Sequence, residues 1–186
     1  STDDPAIALV AESLGVPVPW LRPAKHATDA SKTEDCVVHL LGRLKKDEGY
    51  VPDAVLLLQP TSPLRTAETI RRAVRLFIKS GGAPVLSVTR APSHPYWCFR
   101  LQASGSLVPY CPGKEASRRQ DLPPAYCYDG SIYLIRAASF LKSRSFGGKS
   151  ARALVVREDE ALDIDEPEDW VAAEALWDRL RRSSRR

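Results

Sequence analysis

The chain has 186 residues, 44% hydrophobic and 27% charged, with a formal net charge of +4. That length is enough to bury a core in one domain, and the balance excludes a disordered chain. The longest strongly apolar run, residues 54–58, is too short to cross a bilayer, and the polar opening Ser1-Thr2-Asp3-Asp4 does not read as a signal peptide.

Five arginines in residues 179–186 (RLRRSSRR) account for the positive charge. They read as a solvated helix end or as a short tail that holds phosphate non-specifically. No basic patch interleaved with aromatics lies elsewhere, so nucleic acid is not an expected partner. Cys36, Cys98, Cys111 and Cys127 form no CxxC pair. They are expected to be buried reduced thiols, which fits a cytoplasmic protein. A mixed zinc site with His94 is conceivable, but its spacing matches no usual pattern. The absence of methionine suggests a fragment or processed product.

In chain order, Asp4-Pro5 caps a first helix whose inner stripe would be Ile7, Val10, Ala11 and Leu14, stopped by Gly15. Residues 16–21 read as a strand. Thr33 can cap a second helix with Val37, Leu40, Leu41 and Leu44 inward, ending near Gly49. The continuous run at residues 53–58 reads as a strand buried on both faces. Thr66 can cap a third helix with Ile70, Ala73, Val74, Phe77 and Ile78 inward, ended by Gly81-Gly82, and residues 84–88 follow as a strand. This alternation predicts a mostly parallel α/β sheet, with ligands beyond the carboxyl ends of its strands. The loops expected there are residues 1–3, 22–32 and 59–65.

From about Ala91 the rhythm changes. Residues 96–101 and 106–111 flank Ser104-Gly105 as a hairpin, a polar stretch follows, and residues 126–135 read as a strand interrupted at Asp129-Gly130. Residues 91–126 are expected to form an arm inserted into a single α/β domain. A last helix starts at Pro167, with Ala172, Leu176 and Leu180 inward.

Three segments could carry chemistry. Asp163-Ile164-Asp165 puts two carboxylates on one face of an extended segment, either as magnesium ligands or as an acidic approach to the helix that follows. In residues 59–65 (QPTSPLR), Gln59, Thr61 and Ser62 offer neutral hydrogen-bonding groups on a proline-stiffened loop. They suit a polyhydroxylated ligand, or a loop that satisfies its own backbone and caps the next helix. Arg118 and Arg119 could read a carboxylate or phosphate, or form a solvated pair.

Together, LLQPTSPLR (57–65), RRQDLP (118–123), DGSIY (129–133), FGGK (146–149) and LDIDEPEDW (162–170) occur in the order and approximate spacing of the acylneuraminate cytidylyltransferases, and LRPAKHATD (21–29) also fits. The chain resembles that family from residue 1 to about Trp177. The resemblance implies a Rossmann-like nucleotidyltransferase fold whose inserted arm makes a homodimer. It also implies a reaction in which the anomeric hydroxyl of a sialic or related nonulosonic acid attacks the α-phosphate of CTP, with Mg2+ present and pyrophosphate released. Arg22, Ser31 and Thr33 fall at the cytidine, and Gln59, Tyr133 and Phe146 at the sugar. Asp163 and Asp165 match the metal carboxylates, and Arg119 matches an arginine delivered to the neighbouring subunit's site.

The sequence departs from the family in three places. A glycine- and basic-rich triphosphate loop is expected before Ser1, Asp129 stands where asparagine is common, and Lys32 replaces a small hydroxyl residue. A 3-deoxy-manno-octulosonate cytidylyltransferase and an inactive nucleotide-binding or dimerising remnant are the alternatives.

Overall fold

The computed structural model describes residues 1–113 and 118–183. Part of the expected arm (114–117) and the last three residues of the basic tail lie outside the described residues. The chain divides into two compact units, Ser1–Val55 with Arg136–Ser145, and Leu56–Ile135 with Phe146–Arg186.

The first unit is helical. The Asp4 carboxylate accepts the Ala6 and Ile7 amides at the start of α1 (Pro5–Ser13). Its expected inner stripe is open instead: Ile7, Val10 and Leu14 are exposed, and Ala8 is the buried residue. Residues 16–21 form no strand. Pro17 and Pro19 deny that run two ladder donors, so it gives α1 no sheet to pack on. In α2 (Thr33–Glu48), Lys32 holds the cap position without a side-chain bond and Thr33 is already helical, so Thr33 does not cap it. Gly49 ends α2 at φ 65°, where a residue without Cβ costs least. The inward face of α2 is as expected, with Leu41 buried. A short helix absent from the sequence reading, α4 (Ala137–Ser143), buries Ala137 and Phe140, and the Ala137 amide donates to the Asp53 carbonyl.

The second unit carries the sheet, in strand order β1-β5-β2-β6 for β1 (Ala54–Leu57), β2 (Val85–Arg90), β5 (Tyr126–Arg136) and β6 (Arg152–Val155). The unit boundary falls inside β1. The sheet is mixed rather than mostly parallel: β2 runs parallel to β6 but antiparallel to β5. The reason lies in the connection. Among the described residues between β2 and β5 there is no helical crossover, which a parallel pair needs. It runs instead through a 3₁₀ turn and the hairpin of β3 (Phe99–Leu101) and β4 (Leu107–Pro109), which turns at Gly105. β6, a four-residue strand, has no counterpart in the sequence reading.

β5 is not interrupted at Asp129-Gly130 but bulged there. Leu86 faces Tyr133 while Val88 faces Tyr128, so β5 carries extra residues opposite Ser87. Thr66 caps α3 (Ala67–Lys79), accepting the Thr69 amide at 3.1 Å. Ala73 is fully buried in it, whereas Val74 and Ile78, expected inward, are exposed. In α5 (Pro167–Ser183) the inner stripe is Ala173, Leu176 and Leu180, and Ala172 is exposed. The four cysteines are unpaired and half-buried rather than fully buried. Among the described residues no helix is long and apolar enough to cross a membrane.

Replacing Thr66 with alanine removes the acceptor that opens α3. The variant is expected to lose about 1 kcal/mol in urea unfolding, and Thr66→Ser to lose little.

Candidate functional site

The DGSIY segment supplies the centre of the site in the second unit. Gly130 sits at φ 78° in the bulge of β5. A Cβ there would stand 2.7 Å from Asp163 Oδ2 and 3.0 Å from Gln59 Oε1. Glycine at this position therefore admits two predicted site residues, Gln59 and Asp163, against the strand backbone. The sequence marked Asp129-Gly130 as a break in the strand, the signal of a bulge, but gave Gly130 no part in the site.

The bulge is held by polar groups inside the sheet. Ser87 Oγ accepts the Ile132 amide at 2.8 Å and lies 3.0 Å from Ser131 Oγ. Ser131 in turn donates to Asp129 Oδ2 at 2.7 Å. Ser87, Ser131 and Asp129 are all buried, so each needs a partner to offset the loss of water. The charge that Asp129 brings thus turns inward to the bulge.

The loop after β1 is fastened to the same point. Arg65 donates to the Ser131 carbonyl at 2.6 Å and to the Gln59 carbonyl at 3.3 and 3.2 Å. Burial pulls its guanidinium below the usual arginine range, and the charge of Asp129 partly counters this. Ser62 is fully buried, with its hydroxyl 3.4 Å from Asp163 Oδ1. The Ile164 amide donates to the Thr61 carbonyl at 2.8 Å. The proline-rich loop therefore satisfies much of its own backbone and also positions the acidic segment. Ser62, read from the sequence as a hydrogen-bonding group for a ligand, is instead turned to Asp163, and Arg65 is a residue to which the sequence reading gave no role.

Asp163 is half-buried and Asp165 exposed, with Ile164 half-buried between them. Asp169 accepts the Asp165 and Glu166 amides at 3.0 and 2.9 Å. This is the return half of a capping box at the start of α5. Asp169 thus caps the helix, and the carboxylates of Asp163 and Asp165 are not used in that cap; among the described residues no three His, Cys, Asp or Glu side chains group as a metal site. Tyr133 and Phe146 lie with ring centroids 5.7 Å apart. Arg119 begins a 3₁₀ turn and donates to the Pro92 carbonyl at 3.1 Å and to the Ala91 carbonyl. Arg118 pairs with Asp121 at 2.9 Å.

In the first unit, Arg22, Ser31 and Thr33 share a cavity of about 220 Å³ with His26, Thr28 and Cys36. Arg22 is placed there by its amide, which donates to the Thr2 carbonyl at 2.7 Å, and by its guanidinium, which meets Asp3 at 3.1 Å. That contact holds the Asp3 carboxyl below the usual range. Arg22 Nε is buried without a hydrogen-bond partner, a donor available to a ligand entering the cavity.

Gly130→Ala is expected to cost about 1–2 kcal/mol from the left-handed backbone alone and more from the clash with Asp163. Gly105→Ala, at φ 84° with nothing within 4 Å of the new Cβ, is the control for backbone strain. Urea unfolding should show the larger loss at Gly130, and equal losses would remove the close approach from the explanation.

No family model matches the chain. It is 38% identical over 183 residues to the CMP-N,N'-diacetyllegionaminic acid synthase of Legionella pneumophila, a match covering 95% of this chain and 75% of that protein. It is 26% identical over 171 residues to an N-acylneuraminate cytidylyltransferase of Streptococcus agalactiae, covering 92% of this chain and 40% of that longer protein. A Campylobacter coli protein named for post-translational flagellin modification is 26% identical over 179 residues. With matches that run across the loop, bulge and acidic segment just described, the chain belongs to the acylneuraminate cytidylyltransferase family.

Proposed function

We propose that this chain transfers CMP from CTP to the anomeric hydroxyl of a sialic or related nine-carbon sugar acid and releases pyrophosphate. The convergence of Gln59 and Asp163 on Gly130 carries the reading. It brings a neutral hydrogen-bonding side chain and an acidic group to one point, as a sugar hydroxyl beside a phosphate requires. None of the three relatives above is named for octulosonate, which leaves that alternative without support.

In this reading the sugar hydroxyl forms a bond to the α-phosphorus as the bond to the β-phosphate oxygen breaks. Gln59 holds sugar hydroxyls, and Tyr133 with Phe146 gives the ring an apolar wall. Arg22, Ser31 and Thr33 bind the cytidine. Asp163 and Asp165 would hold Mg2+, which when bound neutralises charge on the phosphates. The chain's own contribution is chiefly positioning and electrostatics, as in phosphoryl transfer generally. CTP-dependent pyrophosphate release with a panel of sugar acids tests the reading, and no release with any of them would favour an inactive remnant.

The arm serves a homodimer in this reading. Trp97, Phe99, Leu101, Leu107 and Tyr110 leave apolar surface exposed along it, of the kind a partner copy covers. Arg119 uses two of its five N–H donors on Ala91 and Pro92. The rest of its fork is then directed at the carboxylate of the sugar acid in the partner's site.

Asp165→Asn is expected to cut turnover severely at limiting magnesium with little change in unfolding, since the replacement is nearly isosteric. Wild-type turnover under those conditions would remove Asp165 from the metal site.

Arg119→Ala should raise the sugar-acid KM roughly ten- to a hundred-fold, for about 1.5–3 kcal/mol of charge-assisted bonding, and leave the CTP KM nearly unchanged. Mixed with Asp165→Asn, it should regain activity, because one site of the mixed dimer keeps both an intact arm and an intact aspartate. Heterodimers without activity would mean that Arg119 acts within its own subunit, or not on the substrate at all.

A further inference from the structure

We infer that Glu160 is a positioning residue for the proposed transfer: its buried carboxylate ties the acidic segment to the first turn of α3 and so holds Asp163 against Gly130. This rests on the cytidylyltransferase reading above, and Glu160 lies outside the motifs that carried that reading.

A carboxylate in this place needs a reason. Glu160 follows β6 in a turn closed by its own amide, which donates to the Arg157 carbonyl at 3.0 Å. Arg157 and Glu158 are exposed in that turn, whereas Glu160 is buried. Arg157 pairs with Asp159, as does Arg179, and among the described residues no salt bridge reaches Glu160. A lone carboxylate taken out of water is costly unless hydrogen bonds replace the water it loses.

Those bonds come from α3. Thr69, itself buried, donates its hydroxyl to Glu160 Oε2, and the Thr66 hydroxyl lies 3.4 Å from the same oxygen. Thr66 also accepts the Thr69 amide, so the cap of α3 and the partner of Glu160 are one arrangement. Negative charge is favoured at a helix N-terminus, and hydrogen bonds to an ionised acceptor are stronger than neutral ones. Glu160 is therefore a firm anchor.

The segment has a second anchor at the Ile164 amide, which donates to the Thr61 carbonyl at 2.8 Å. Both anchors lie on one stretch of chain, residues 61–69, and Asp163 falls between them. The side chain of Asp163 is held less firmly, since its contact with the Ser62 hydroxyl is 3.4 Å, longer than the usual hydroxyl bond. Its place is thus set by the backbone on either side. A Cβ on Gly130 would stand 2.7 Å from Asp163 Oδ2, so the carboxylate is already as close to β5 as glycine allows. Without Glu160 the segment keeps one anchor and can draw back from Gly130. A shift on the order of 1 Å is enough to lower turnover where a group acts by its position.

Hydrogen exchange at the Ile164 amide reads the anchoring, and steady-state kinetics read its consequence. In the full chain, Glu160→Ala should speed exchange at Ile164 roughly tenfold beyond any global loss of stability. It should also lower kcat about ten- to a hundred-fold, while the CTP KM changes less than about twofold. Glu160→Gln keeps an acceptor for the two threonines and should restore most of both. Thr69→Val removes the shorter bond with little change of shape. It should move both readouts the same way by less, and it decides the matter if Glu160→Ala does not fold. Gly49→Ala, strained at φ 65° in open space, is the control for lost stability and should leave kcat within about twofold. Unchanged exchange at Ile164, or faster exchange with kcat intact, would overturn the positioning role. So would an equal loss of kcat in Gly49→Ala, or a Glu160→Gln variant no better than Glu160→Ala. If the wild type releases no pyrophosphate with any sugar acid, the cytidylyltransferase reading fails, and exchange at Ile164 alone decides whether Glu160 holds the segment.

Discussion

The second unit depends on one close approach, that of the Asp163 carboxylate to the backbone of β5 at Gly130. Three stretches far apart in sequence meet there: the loop after β1, the bulge of β5 and the segment leading into α5. Only a residue without Cβ lets them come so near, and the left-handed backbone of the bulge favours the same residue. The polar groups drawn in by the bulge then need partners. Ser87, Ser131, Asp129 and Arg65 supply them to one another and to nearby carbonyls. The network is thus a consequence of the bulge as well as its support, because a buried group left unpaired would cost more than the hydrogen bond returns.

Reversal of β5 follows from the arm. A parallel pair needs a helical crossover, and the described residues between β2 and β5 are spent on 3₁₀ turns and a hairpin instead. The returning strand enters between β1 and β2 in the antiparallel sense. Its bulge then lies inside the sheet rather than at an edge, with neighbours on both sides to hold its shape. An irregular strand in that position can carry a functional geometry without fraying.

What was legible in the sequence was local chemistry. Asp4, Thr66 and Gly49 act where their side chains or their lack of one dictate, and the motifs that meet at Gly130 could be identified before their meeting was known. Faces were less legible, because periodicity shows that a stripe exists but not what lies against it. The stripe of α1 is open, and that of α5 is displaced by one position to Ala173. Residues 16–21 have the apolarity of a strand, yet their two prolines cannot donate to one. The seven residues of α4 and the four of β6 are too short for a period to emerge from their neighbours.

The site of the second unit is chemically divided. At Gly130 it is polar, with carboxylate, amide and hydroxyl groups fixed by backbone bonds. Next to it, at Leu86 and Val88, β2 is apolar and buried. Groups that act on developing charge gain from rigidity, because a preorganised donor or ligand pays no reorganisation as the reaction proceeds. The register shift at the bulge of β5, not plain alternation, makes that separation possible. Ser131 turns its hydroxyl into the network with Asp129 and Ser87, while Tyr128 and Tyr133 present their rings to the other face. One strand therefore holds a buried polar network and also faces the apolar Leu86 and Val88.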